Sequence, residues 1–178
     1  MSSDLPLDEI WKVYEVTKDC LKVTARVLRS GSERFVRRTG FVGSTTDEVE
    51  KWIENSQDET DSSIVVLLWA QFERSIVNFV QTKIIKLLEE EPKDLAKDLH
   101  DKIRSDVEYW KIDDILDLLK GIVDPNLLGI AKNVKDYRDW VVHRNPKRQP
   151  AAKADPKTVY GALSKILAAV SVNRETNA

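Results

Sequence analysis

Apolar residues recur at steps of three and four residues through most of this chain, which is the period of an amphipathic α-helix. No Asn-Gly or Asp-Gly pair lies between alternating apolar runs, so the usual signals of a β-hairpin are missing. The sequence therefore predicts an all-α protein. Its first helix follows Pro6, stops at Gly31 and carries an apolar stripe of Leu7, Ile10, Trp11, Tyr14, Leu21, Ala25 and Leu28.

Turn and capping signals divide the rest of the chain into further helices. We expect a short acidic helix over 47–55 and an interruption at the polar stretch 56–63. The longest and most apolar helix should then cover 63–88 and form the centre of a bundle. Later helices are predicted over 93–110, 113–122, 125–143 and 156–172, with Pro146 and Pro156 marking two of their ends.

Length and composition favour one folded domain. The chain has 178 residues, 42% of them hydrophobic and 33% charged, which suits a globular protein with a sizeable core. We divide this domain into N-terminal helices with a connector over 1–60, a bundle core over 61–146, and a linker with a C-terminal helix over 147–178.

Nothing in the sequence calls for a membrane, a cofactor or a metal. The longest uninterrupted apolar run, Ile64 to Ala70, is far shorter than the roughly 20 residues of a membrane-spanning helix. The first residues are acidic where a secretory signal is basic, so we expect a cytoplasmic protein. Cys20 has no second thiol and should be a small core or boundary residue. His100 has no other ligand at metal-binding spacing and should lie at the surface.

Charge is distributed unevenly, although the net charge is only -2. Segment 47–61 holds seven acids and one lysine. Segment 22–38 holds six basic residues against Glu33, and segment 131–157 holds eight against three aspartates. The two basic segments permit a polyanionic partner such as RNA, although solvated helix faces would show the same pattern.

Two charges interrupt apolar helix faces. Glu73 has Trp69, Ala70, Ile76 and Val77 as its neighbours at helical spacing. Arg138 stands within a second apolar stripe, whose other members are Leu127, Ala131, Val134 and Val141. A guanidinium keeps its charge and needs a partner when partly buried. We therefore predict that Glu73 and Arg138 face each other across the bundle; the alternative for Glu73 is a boundary side chain that reaches water.

The neighbouring edge of the same helix carries Asp139 and His143, four residues apart, so that their side chains can touch. His143 lies in the last turn, where the helix dipole and a carboxylate both favour a protonated ring. Such a histidine can exchange protons near neutral pH, or it can simply cap the helix. An arginine that binds phosphate beside it would suffice to cleave RNA, whose 2′-hydroxyl is the nucleophile.

The segment RDWVVH, from Arg138 to His143, resembles the R-x4-H motif of the HEPN superfamily, including the polar residue after the arginine. The resemblance implies a helical bundle of four to five core helices, here with additional N- and C-terminal helices. It also implies a metal-independent endoribonuclease in which two copies of the motif form one cleft across a homodimer. Many such proteins act as toxins or in antiviral defence, some of them with a cognate antitoxin.

The resemblance assigns a role to each residue of the motif. Arg138 would stabilise the phosphate, His143 would act as general acid or base, and Asp139 would orient groups within the site. Glu73 is the candidate for an acid that some members add from an earlier helix. The basic residues around the motif are the predicted RNA contacts: Lys135, Arg144, Lys147 and Arg148.

Two other interpretations of the sequence stay open. A HEPN-like domain could keep the motif as a non-catalytic RNA- or protein-binding dimerisation module. The chain could also be an all-α interaction protein outside that superfamily, in which case Arg138 and His143 would lie far from any cleft.

Overall fold

In the computed structural model, residues 6–31, 37–143 and 152–175 are described, and side chains in the last range are described to 172. These ranges contain helices and connecting turns but no β-strand, which confirms the all-α prediction. Three 3₁₀ segments, at Ile84–Glu89, Val107–Tyr109 and Leu119–Gly121, extend or link the helices. The helices are α1 Asp8–Arg29, α2 Thr46–Lys83, α3 Lys93–Asp106, α4 Ile112–Leu118, α5 Pro125–His143 and α6 Pro156–Glu175.

Helix α2 is continuous over 38 residues, so the predicted interruption at 56–63 is wrong. Its start is fixed by a capping box, in which Thr45 and Glu48 each accept a hydrogen bond from the backbone of the other. The polar stretch contains neither glycine nor proline. The hydroxyls of Thr60 and Ser62 donate to carbonyls four residues earlier, so these side chains are accommodated within the helix.

The core is built around α2, which packs against α1, α5 and α6. Its side chains at Val65, Leu68, Trp69, Phe72 and Ile76 are fully buried. They belong to one apolar cluster with residues from the N-terminal segment and from α6, so all three predicted segments contribute to a single core. Helix α3 packs on Ile84–Glu89, and α4 packs against α2 and α5.

The same central helix contains a strongly apolar segment. Thr46–Glu89 contains an 18-residue window with a mean hydropathy of 1.3, of which 44% is buried in the structure. By length and composition alone it meets the requirement for crossing a membrane, which the length of the longest uninterrupted apolar run did not reveal. In the structure its buried side chains are covered by other helices, as the central helix of a bundle requires.

Two single-residue predictions are wrong. His100 is buried, because α3 packs on Ile84–Glu89, and its Nδ1 lies 2.9 Å from Asp101 Oδ1. Cys20 is exposed, because α1 buries its opposite side, including Tyr14. Both residues lie on amphipathic helices: His100 is on the buried face of α3 and Cys20 is on the exposed face of α1, the reverse of what we expected.

Candidate functional site

Helix α5 begins at Pro125 and ends at His143, as the sequence predicted. Leu128, Ala131, Val134 and Tyr137 are buried on one side of it. The Tyr137 hydroxyl lies 3.2 Å from Ser62 Oγ on α2. This packing fixes the rotation of α5 and directs the next residue, Arg138, towards the edge of the bundle.

Arg138 meets Glu73 across the bundle, which confirms the predicted pairing. Arg138 Nη2 donates to Glu73 Oε2 at 2.9 Å. The Arg138 side chain is 26% exposed and that of Glu73 is 35% exposed, so the pair lies at the boundary between core and solvent. Each charge is tolerated within an apolar helix face because the opposite charge binds it there.

Asp139 completes this cluster in a way that the sequence did not predict. Arg138 Nη1 donates to Asp139 Oδ1 at 2.7 Å. Within the described part of the chain, no hydrogen bond or ion pair joins Asp139 to His143, contrary to the expected four-residue contact. The Asp139 carboxylate is bound instead by the guanidinium of the preceding residue, Arg138.

The Arg138 guanidinium still has capacity for a ligand. It carries five N–H donors in a rigid, planar arrangement. Among the described residues, Glu73 and Asp139 each accept from one terminal nitrogen. The remaining donors can bind an oxyanion, and the two carboxylates hold the group in a fixed orientation while it does so.

His143 is exposed and is the last residue of α5. Its ring is therefore open to a ligand or to a second protein chain. The predicted RNA contacts Arg144, Lys147 and Arg148 follow it directly in the sequence but lie outside the described residues.

Lys135, the fourth predicted RNA contact, already has partners. Its Nζ lies 3.0 Å from Asp113 Oδ2 and 3.7 Å from Asp136 Oδ1. The hydrogen bond to Asp113 raises the pKa of Lys135. Lys132 binds Asp117 in the same way at 2.7 Å. These pairs join α4 to α5, so Lys135 contributes little free positive charge at this site.

Glu73 also borders a cleft that the sequence did not reveal. Arg74, Glu108 and Trp110 lie around the same opening, between α2 and the 3₁₀ turn that precedes α4. The described residues contain no group of three or more His, Cys, Asp or Glu side chains placed to hold a metal ion.

The chain matches no family model, no curated protein and no solved structure. The resemblance to HEPN proteins therefore stays a prediction from the sequence motif between Arg138 and His143.

Proposed function

We propose that this protein is a metal-independent endoribonuclease of HEPN type that acts as a homodimer. The observation that supports this best is the position of Arg138, which two carboxylates hold at the solvent boundary, five residues before an exposed histidine on the same helix. The arginine would bind the scissile phosphate through its remaining N–H groups, and the histidine would transfer protons.

The proposed reaction needs no water in its first step. A base removes the proton of the RNA 2′-hydroxyl, whose oxygen attacks the adjacent phosphorus. The bond from phosphorus to the 5′-oxygen breaks, and an acid protonates that leaving oxygen. The products are a 2′,3′-cyclic phosphate and a 5′-hydroxyl. Two proton transfers call for two groups, and a dimer would supply one His143 from each copy.

Helix geometry also supports a composite site. Five residues on an α-helix correspond to a rise of about 7.5 Å and a rotation of about 140°. Arg138 and His143 of one chain therefore point in different directions around the helix. Arg138 of one chain and His143 of a second chain would reach one phosphate more easily. Val142 lies between them around the helix and is 53% exposed, so it is available to contact a second copy.

A second candidate is a non-catalytic HEPN-like module that binds RNA or protein. The double ion pair favours it, because two carboxylates around one guanidinium leave a local charge that repels phosphate. Catalysis therefore requires further cations, and the basic residues after His143 are the proposed source. A cytoplasmic location stays a prediction from the acidic N-terminal sequence. A role as a toxin or in antiviral defence stays a prediction from the resemblance.

The test is cleavage of a labelled single-stranded RNA in the presence of EDTA. Wild-type protein should cut it, and His143→Ala should lose roughly 100- to 10,000-fold in rate. Arg138→Ala should lose on the order of 100-fold or more, and Arg138→Lys should restore only part of this because it lacks the planar set of donors.

Arg104→Ala is the matched control, since Arg104 is an exposed arginine on a different helix, α3, and does not line the cleft beside Glu73. It should cleave like wild type, and circular dichroism should show all variants folded. If His143→Ala cleaves as fast as wild type, the proposal fails. RNA binding by a dimer that never cleaves would instead select the non-catalytic module.

A further inference from the structure

The cleft beside Glu73 is small and has an aromatic side chain among its lining residues. Its volume is about 250 Å³, below the roughly 300 to 1,000 Å³ of pockets that enclose drug-sized ligands. Val107, Ile112 and Ile115 are buried residues that line it. Trp110, 37% exposed, also lines it. An indole ring next to an apolar wall is a suitable surface for stacking a nucleobase.

The polar groups of this cleft favour a particular base. The carboxylate of Glu73 already accepts from Arg138. Glu108 is exposed and has no hydrogen-bond or ion-pair partner among the described residues. An ionised carboxylate only accepts hydrogen bonds, and its two oxygens can accept two parallel ones. A ligand with two adjacent N–H donors would therefore satisfy Glu108 best.

Guanine is the base that presents such a pair, because its N1–H and its 2-amino group lie side by side. Adenine and cytosine place a ring acceptor beside their amino group, and uracil flanks its N–H with carbonyls. Arg74, on the same cleft, is exposed and without an ion pair among the described residues, so it is available for the phosphate of the same nucleotide.

We propose that this cleft binds a guanine nucleotide of the RNA, with the base stacked on Trp110, its N–H edge on Glu108 and its phosphate at Arg74. The inference rests on the proposed ribonuclease function, since Glu73 borders both the cleft and Arg138. It predicts that cleavage occurs next to guanosine.

Calorimetric titration with 5′-GMP, AMP, CMP, UMP and IMP tests the cleft without any cleavage. GMP should bind at least tenfold more tightly than AMP, CMP or UMP. IMP, which lacks the 2-amino group, should bind more weakly than GMP. A 5′-phosphorylated pGpU dinucleotide with methylated 2′-oxygens keeps the 5′-phosphate of GMP. It should bind more tightly than GMP if the cleft lies on the path of the RNA; equal binding contradicts that role.

Variants then assign the contacts. Glu108→Gln should abolish the preference for GMP over AMP, whereas Glu89→Gln, an exposed glutamate outside the cleft, should not change it. Trp110→Ala should weaken GMP binding on the order of tenfold to 100-fold, and Trp110→Phe should retain most of it. Comparable binding of GMP, AMP, CMP and UMP, or a full preference for GMP in Glu108→Gln, overturns the inference.

The outcome for the cleft and the outcome for the enzyme are separable. A protein that cleaves RNA but binds no GMP loses the guanine site and keeps the ribonuclease function. A protein that binds GMP through Glu108 but cleaves no RNA keeps the site as a nucleotide-binding cleft and loses the catalytic proposal.

Discussion

The ion pair between Glu73 and Arg138 should stabilise the fold measurably. Two unit charges about 4 Å apart interact by roughly 1 kcal/mol in water and roughly 4 kcal/mol near a protein surface, before desolvation is subtracted. With about one quarter and one third of the two side chains exposed, the pair lies between an exposed and a buried ion pair. We expect a coupling energy of about 1 to 2 kcal/mol, above the roughly 0.2 to 1 kcal/mol of exposed pairs.

The assay is a double-mutant cycle of Glu73→Gln and Arg138→Met, with the free energy of unfolding measured by urea denaturation. The control cycle uses Lys102 and Asp106 on α3, whose Nζ and Oδ2 atoms are 2.7 Å apart. Their side chains are more exposed than those of Arg138 and Glu73. Its coupling energy should be clearly smaller and should fall more steeply with added salt. Equal coupling energies in the two cycles would show that Glu73 does not hold Arg138 in place.

Three further predictions concern the fold and the proposed homodimer. Asp155→Ala should lower the free energy of unfolding by about 1 kcal/mol, and Asp155→Asn by much less, because Asp155 caps α6 by accepting hydrogen bonds from Thr158. These bonds lower the pKa of Asp155, so the extra stability of the wild type should be present above the ordinary pKa of aspartate and be lost in acid unfolding as the pH falls through the lowered pKa. Tyr14→Phe should lower the free energy of unfolding in urea by about 1.5 to 3 kcal/mol, because the Tyr14 hydroxyl donates a hydrogen bond to Asp61 Oδ1 at 2.7 Å. Burial and this hydrogen bond raise the pKa of Tyr14, so the difference in stability between wild type and variant should shrink as the pH rises above about 10. Val142→Glu should leave the fold intact and shift the protein to monomer in sedimentation equilibrium; an unchanged dimer would mean that this face is not the interface.

The features that could be predicted from the sequence are those set by local rules. Pro125 and Pro156 begin α5 and α6 because proline fits the first helical turn. The pairing of Glu73 with Arg138 was predictable because each charge breaks an apolar stripe and so requires a partner.

The features that could not be predicted depend on which helices meet. Polar residues at 56–63 suggested a break, yet without glycine or proline the helix continued. The burial of His100 depends on where α3 packs, which its own periodicity does not specify. The cleft at Trp110 forms where a 3₁₀ turn meets α2, and no local pattern marks that contact.

The chemical identity of the RNA ends after reaction in EDTA tests the proposed mechanism most directly. The proposed mechanism predicts that wild-type protein leaves a 2′,3′-cyclic phosphate and a 5′-hydroxyl, that RNA methylated at every 2′-oxygen stays intact, and that His143→Ala leaves both RNAs intact. Cleavage of the methylated RNA, or a 5′-phosphate on the products, would contradict it, because neither can arise from attack by the 2′-hydroxyl.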